Sequence, residues 1–309
     1  MTFHVGAQLP VNSIPGHRED LDLHRVARHA EELMLDSVWA GDRLSADYPV
    51  LDPSLVLAGA AAATTHIKLG YGVMLLALRS AAWAAKQIGT LQHLSRGRAV
   101  LGVGVGTGDA AEWAAAGVPP EDRGKRTERI LRILPDLLAG RHTALTDLSA
   151  QPSITMSPPT PMPDVWIGGG SNAALLRAVT CGHGWLAAMK SPKSLARGAA
   201  TLARLAAERE VPTPEVGIHV FLRMTDDPDA ASAARAVVAD RLSSLYGMDR
   251  AAAGEVGVGG TPEQVAERLR DYAEAGARQF VLVPFGRDSD DPMHQYELFA
   301  KARSLLLAG

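Results

Sequence analysis

The chain has 309 residues, 47% of them hydrophobic and 21% charged, a globular composition that excludes wholesale disorder. Its 31 Lys and Arg against 34 Asp and Glu leave a net charge of −3, which offers nucleic acid no electrostatic footprint. A lone Cys181, no apolar run near the roughly 18 residues of a membrane helix, and a start at Met1 without a leader pattern give the expectation of a cytoplasmic protein acting on a small molecule, without a membrane or nucleic-acid partner.

Strand and helix signals alternate along the sequence. Val5–Leu9 is a short apolar segment that runs into turn formers around Asn12 to Gly16. Leu23, Val26, Ala27, Ala30, Leu33 and Met34 recur at helical spacing with charges between them. Ser37–Gly41 reads as a buried strand, Ala58–Thr64 as helix and Ile67–Leu76 as a further strand. Helix Ala81–Leu94 precedes the glycine-rich strand Arg98–Gly106, and helices Ala110–Ala116 and Lys125–Leu138 follow. A proline-rich connection from Thr143 to Pro163 is longer than most loops in compact domains, so it is either functional or draped over the surface.

Beyond it the rhythm resumes with strand Asp164–Gly168, helix Asn172–Cys181, strand Gly184–Ala188 and helix Ser194–Arg209. Strand Val216–Met224 and helix Asp229–Leu245 lead to a glycine-rich passage, Gly254 to Gly260. Thr261, Pro262 and Gln264 then supply an N-cap, a first-turn proline and the N3 partner of a capping box. That helix ends at Gly276, ahead of strand Gln279–Phe285 and a terminal helix. Most strands are continuous apolar runs, the mark of a parallel sheet covered on both faces. About eight βα units predict an α/β fold, a (β/α)₈ barrel with insertions forming a single domain over 1–309, variable near 143–163 and 246–260. An open, doubly wound sheet is the alternative.

In a barrel, chemistry collects at the C-terminal strand ends. Here these ends, among them Gln8, Asp42-Arg43, Gly106-Thr107 and Gly169-Gly170-Ser171, are mostly small or apolar, which suits a large flat ligand better than a metal. Val165 to Ser171 runs from strand through glycines to a helix start, so free N–H groups and the helix dipole there favour an anion. The same pattern also serves a plain N-capped turn, and no Walker A lysine follows. Gly102, Gly104, Gly106 and Gly108 miss the dinucleotide-binding spacing; they either clear room at the mouth or allow close packing. Asp42-Arg43 reads as polar contact to a ligand or as an exposed ion pair. His4 and His219 fall in strand segments and read as satisfied structural histidines. No zinc-binding helix pair or G-x-S-x-G elbow supports a hydrolase.

Ser37-Val-Trp-Ala-Gly-Asp-Arg43, Ile67 to Leu75, Leu94 to Gly106, Trp166-Ile-Gly-Gly-Gly170 and Gly259-Gly-Thr-Pro-Glu263 together resemble the luciferase-like flavin-dependent oxidoreductases, in order along the chain. The resemblance implies an oxidoreductase: a barrel holding coenzyme F420, or alternatively FMN, at its C-terminal mouth, as a homodimer and with no metal. It implies that Gly169, Gly170 and Ser171 hold the cofactor phosphate, with Gly168, Gly106 and Thr107 beside them. Gly72-Val73 matches a bulge under the ring that is often a non-prolyl cis peptide, and Asp42 lies near the ring, so Asp42 and Arg43 are the catalytic candidates. Two departures stand out. Arg43 replaces the histidine many deazaflavin users employ, and arginine cannot serve as a titrating imidazole. Thr107 replaces a glutamate of the family's sugar-phosphate dehydrogenases. The leading expectation is F420-dependent hydride transfer to or from a small organic substrate. The alternatives are an FMNH2-dependent monooxygenase using O2, served by a separate cofactor reductase, and a non-catalytic flavin-binding protein.

Overall fold

The computed structural model describes residues 2–11, 22–46, 48–106, 109–146, 148–285 and 291–308. The first half runs β1 (His4–Gln8), α1 (Leu23–Glu32), β2 (Ser37–Ala40), α2 (Pro53–Ala63), β3 (Lys68–Met74), α3 (Ala81–Leu94), β4 (Ala99–Val103), α4 (Ala110–Ala115) and α5 (Arg123–Leu138). A hairpin, β5 (Thr143–Ala144) with β6 (Ser153–Ile154), lies between α5 and β7 (Asp164–Gly168). Then come α6 (Asn172–Cys181), β8 (Gly184–Ala188), α7 (Pro192–Ala207) and β9 (Glu215–Met224). The chain finishes with α8 (Ala231–Tyr246), α9 (Arg250–Val256), β10 (Val258–Gly260), α10 (Pro262–Glu274), β11 (Ala277–Pro284) and α11 (Pro292–Ala308).

The sheet is parallel and closed. Its order is β11-β1-β2-β3-β4-β7-β8-β9, and β9 pairs back onto β11, which excludes the open, doubly wound alternative. Helix starts follow ordinary capping chemistry. Asp22 Oδ1 accepts from the His24 and Arg25 N–H groups, and Gln264 Oε1 accepts from the Thr261 N–H at 3.2 Å within the expected capping box.

Two elements depart from the sequence reading. The glycine-rich passage Gly254 to Gly260 contains the last three residues of α9 and all of β10. Gly254 lowers the helix propensity of α9, but Asp249 caps it by accepting from the Ala251 and Ala252 N–H groups. β10 has only Val258 and two glycines, so it is a strand solely because β9 offers it a parallel edge. The proline-rich connection is draped over the surface on the N-terminal side of the barrel. Lys86 donates to the Ser157 carbonyl at 2.8 Å and Gln92 to that of Pro161 at 3.1 Å, away from the strand C-termini.

The alternation of side chains sorts the barrel into two apolar regions. Outward-facing residues such as Val5, Val38, Leu69, Leu101, Ile167, Ile218 and Leu282 join the helices in one large core. Inward, Trp39, Val100, Trp166, Leu186 and Val281 form a separate cluster, with Val73 packed against it. Both indoles lie over glycines: a Cβ on Gly70 would meet Trp39 Cε3 at 2.2 Å, and one on Gly184 would meet Trp166 Cε3 at 2.4 Å. Trp39 also donates its Nε1–H to Ser37 Oγ at 2.8 Å, so its polar edge is satisfied inside the barrel.

Because the indole occupies the space of the missing side chain, Gly70→Ala is expected to cost about 1–3 kcal/mol through overpacking. A lowered midpoint in chemical denaturation checks this; an unchanged midpoint would mean that Trp39 moves aside freely.

Candidate active site

Two residues beyond the indole layer, the inner face becomes small on several strands. Gly41 follows Trp39, Gly72 follows Gly70, Gly168 follows Trp166 and Ala188 follows Leu186. The mouth is therefore a cup whose floor is the tryptophan layer. Gln8 on β1 and His219 on β9 are the polar residues of this level. A Cβ on Gly72 would lie 3.2 Å from Gln8 Oε1 and 3.3 Å from His219 Nε2, and neither atom has a hydrogen-bond partner. His219 is 8% exposed, and burial pushes its imidazole down to about 4, so it is neutral in ordinary buffers. The expectation of a satisfied structural histidine is thereby corrected: the strand position holds, but Nε2 is not paired.

Gly72-Val73 is a cis peptide at the point where β3 loses register with β4 between Tyr71 and Met74. The bulge turns Val73 inward. A Cβ on Gly104 would meet Val73 Cγ2 at 2.5 Å, and one on Gly168 would meet Val73 Cγ1 at 3.3 Å. A Cβ on Gly102 would lie 2.1 Å from the Tyr71 carbonyl oxygen. The glycines of β4 thus serve close packing of the bulge, one of the two roles left open by the sequence. Gly106 sits just past β4, where a Cβ would meet Trp113 Cζ2 at 3.0 Å. Thr107 lies outside the described residues.

Asp42 and Arg43 are adjacent in sequence but belong to different networks. Asp42 is buried; Arg79 Nη1 donates to its Oδ2 at 2.5 Å and Arg79 Nη2 to its Oδ1 at 3.0 Å, while the Leu75 N–H donates at 2.9 Å. Its carboxylate fastens the chain just after the β3 bulge. Arg43 faces α4 instead, with Nε 3.3 Å from Glu112 Oε1 and Nη2 3.5 Å from Asp109 Oδ2. Glu112 is fully buried, accepts from the Leu44 N–H at 2.8 Å, and leaves Oε2 without a partner. Neither Arg79 nor Glu112 carries a sequence signal for these roles. Both are ordinary charged residues whose partners lie 37 and 68 positions away.

The α6 rim has the geometry of an anion site. Gly169 has φ +102, a conformation open to glycine, and its carbonyl accepts from Trp185 Nε1 at 2.6 Å. Ser171 caps the helix by accepting from the Ala174 N–H at 3.2 Å, while Gly169, Gly170 and Ser171 stay exposed. Lys190 lies alongside: its Nζ is 2.9 Å from where a Cβ on Gly170 would sit. The first-turn N–H groups, the helix dipole and an ammonium converge on one exposed point. Lys190 carries no sequence signal for this place, standing two residues beyond the expected strand end at Ala188.

On the β9–β11 side the cup is walled by aromatics. Phe221 meets Phe285 edge-on at 5.3 Å and Tyr246 at 5.9 Å, and the Arg241 guanidinium covers Phe285 at 5.4 Å. Burial pushes the Tyr246 hydroxyl up to about 12; Tyr48 adds to the rise and Arg43 and Arg241 oppose it, which puts Arg43 within electrostatic reach of this wall. Among the described residues, no three His, Cys, Asp or Glu side chains gather as a metal site would require, and no helix is long and apolar enough to cross a membrane.

The sequence profile of the luciferase-like monooxygenases matches residues 11–279. The chain belongs to that family. It is 33% identical over 178 residues to an uncharacterised protein of Mycobacterium tuberculosis, a match spanning 60% of that relative's length. Along most of both chains, 87% of this one and 92% of the other, it is 26% identical to 5,10-methylenetetrahydromethanopterin reductase of Methanolobus tindarius. An F420-dependent secondary alcohol dehydrogenase in complex with an F420-acetone adduct has the same fold, with a TM-score of 0.82, 17% identity and 99% coverage of each chain. So does the FMN complex of the oxygenating constituent of 3,6-diketocamphane monooxygenase from Pseudomonas putida, with a TM-score of 0.78, 17% identity and coverage of 97% and 96%.

His219 gives the fold a defined acid sensitivity. Its folded pKa of about 4 lies below the ordinary 6.5, so the unfolded chain binds the proton more readily. Its contribution is complete above pH 6.5 and is lost progressively as pH falls toward 4, by about 3 kcal/mol in all. In His219→Gln the stability of the folded state, followed by denaturation across this window, is expected to fall less steeply than in the parent. Parallel curves would exclude the buried imidazole as the cause.

Proposed function

We propose that the cup binds coenzyme F420 and that a hydride passes between it and a small organic substrate. The observation that carries this reading is the exposed rim at the start of α6, where Gly169, Gly170 and Ser171 leave first-turn N–H groups beside Lys190, above strand ends that are mostly small. In this reading Gly72, Val73, Gly106 and Gly168 border the ring, and Gly169, Gly170, Ser171 and Lys190 hold its phosphate. Because the rim is exposed, a phosphate held there can continue into a longer anionic tail, which F420 has and FMN lacks. The end-to-end likeness to an F420-dependent dehydrogenase supports the same choice.

When bound, the deazaflavin supplies or accepts the hydride; the chain's own residues bind, orient and exclude water. Asp42, held by Arg79, fixes the bulge on which the ring would rest and acts as a positioning residue. Arg43, buffered by Glu112 and Asp109, is placed to orient a substrate against the aromatic wall rather than to move a proton. A second reading, reduced FMN acting with O2 and fed by a separate reductase, draws support from the likeness to an FMN-bound monooxygenase component and from that apolar wall.

Separate fluorescence titrations with F420 and FMN decide between these. Tighter F420 binding is expected; tighter FMN binding selects the second reading, and binding of neither refutes both. Tight binding without turnover across a broad panel of acceptors would instead indicate a non-catalytic flavin binder. Ser171→Asp and Lys190→Ala are each expected to weaken cofactor binding by about tenfold or more, through charge repulsion and loss of a charge-assisted contact. Unchanged affinity in both would move the phosphate elsewhere.

The same reading includes a cytoplasmic homodimer. Leu51, Leu55 and Trp83, near the starts of α2 and α3, are 50%, 76% and 69% exposed, an apolar patch suited to a second copy. Sedimentation should report a dimer for the parent and a monomer for Leu55→Glu with Trp83→Glu; a monomeric parent would remove the dimer.

A further inference from the structure

Two buried aromatic side chains from other elements hold the rim at the start of α6. Trp185 on β8 is fully buried and donates its Nε1–H to the Gly169 carbonyl at 2.6 Å. Its indole lies in the main core, and α7 gives up a side chain to admit it. A Cβ on Gly198 would meet Trp185 Cη2 at 2.3 Å. Tyr272 on α10 is 1% exposed and donates its hydroxyl to the Lys190 carbonyl at 2.8 Å. An indole N–H and a phenol each have a single hydrogen to give. Both hydrogens go to main-chain carbonyls of rim residues, 16 and 82 positions away.

Each bond fixes a different part of the rim. The Gly169 carbonyl and the Gly170 N–H belong to one planar trans peptide, so they point in opposite directions. With the carbonyl pinned toward the buried indole, the Gly170 N–H is turned outward, at a point where both glycines are exposed. On the other side, Met189 has φ +52, uncommon for a residue that is not glycine. Such a conformation persists where its surroundings fix it, and the bond from Tyr272 fixes the carbonyl of the next residue. Lys190 is thereby set with its Nζ 2.9 Å from where a Cβ on Gly170 would sit. Burial pushes the Tyr272 hydroxyl up to about 12, so it stays protonated and a donor in ordinary buffers.

We infer that Trp185 and Tyr272 are positioning residues of the phosphate site: the indole aims the Gly170 N–H outward, and the phenol sets the backbone that carries the Lys190 ammonium. The inference rests on the proposed use of this rim for the cofactor phosphate. It adds the two buried donors that decide where the N–H and the ammonium converge. Both act only through Gly169 and Lys190.

The test compares ligands that share a ring system and differ in the phosphate: FMN with riboflavin, and F420 with the phosphate-free deazaflavin. Tyr272→Phe removes one oxygen and keeps the ring; Trp185→Phe removes the indole donor. Each is expected to weaken the phosphate-bearing ligand by about three- to tenfold and the phosphate-free one by less than about twofold. A role confined to stability would weaken both forms alike. In the unaltered protein, labelled at the tryptophan nitrogens, excess inorganic phosphate should shift the Trp185 Nε1–H resonance, assigned through its contact with Gly169. If Trp185→Phe does not fold, Tyr272→Phe and this titration decide. Equal losses for both ligand forms, full affinity for the phosphate-bearing form in every folded variant, or an indole resonance that phosphate leaves in place would each overturn the inference. If the parent binds neither F420 nor FMN while inorganic phosphate still moves Trp185 and binds more weakly to Tyr272→Phe, the cofactor reading fails and the positioning role stands. If the parent binds the cofactor as tightly without its phosphate, the cofactor reading stands and this inference falls.

Discussion

Everything at the mouth depends on how the barrel interior is filled. Trp39 and Trp166 are too large for the inner face unless their neighbours give up side chains. Gly70 does so for Trp39, and Gly184 and Gly217 do so for Trp166. The two indoles, with Val100, Leu186 and Val281, close the barrel at mid-height in one dense layer. Above that layer the strands of Trp39, Val100, Trp166 and Leu186 continue with glycine or alanine, and that of Val281 with Val283. A packed floor and an open cup are therefore two consequences of one size pairing, large residue against none, repeated around the ring.

The charges at the mouth are arranged around this cup so that little of their strength is free. Asp42 is satisfied by Arg79 and the Leu75 N–H, which ties the end of β2 to the chain after β3 and holds the bulge in place. Arg43 is held by Glu112 and Asp109, which ties the same loop to α4. Breaking either network would leave a buried or half-buried charge uncompensated, a large cost in a low-dielectric site. Lys190 lies at the opposite rim against glycine, where an ammonium can meet an incoming anion. The mouth thus has an anion-seeking rim and a floor without charge, a division that matches a ligand with a phosphate at one end and neutral chemistry at the other.

The aromatic wall completes the enclosure. α8 and α9, inserted between β9 and β10, bury Val238, Leu242 and Val256 against Phe221 and Phe285. They bring Tyr246 over the cup from a helix end. This wall is therefore built by helices that follow β9 and not by the barrel strands alone.

Hydrophobic periodicity and glycine placement determined most of the fold. Continuous apolar strands alternating with amphipathic helices admit few arrangements besides a parallel barrel. The helix start at Ser171 and the capping box at Thr261 were legible because each depends on residues close in sequence, whereas the bulge at Gly72-Val73 was implied only by the family resemblance. The tertiary structure alone decided which side chains meet. It joined Asp42 to Arg79 and Arg43 to Glu112 rather than Asp42 to Arg43, and set Lys190 beside Gly170. It also made β10 a strand through its neighbour's edge, and brought Gln8 and His219, 211 residues apart in sequence, to the same side of Gly72. The physical reason is the closure of the sheet. Pairing β11 with β1 converts sequence separation into spatial contact, and long-range contacts leave no local pattern from which they can be read.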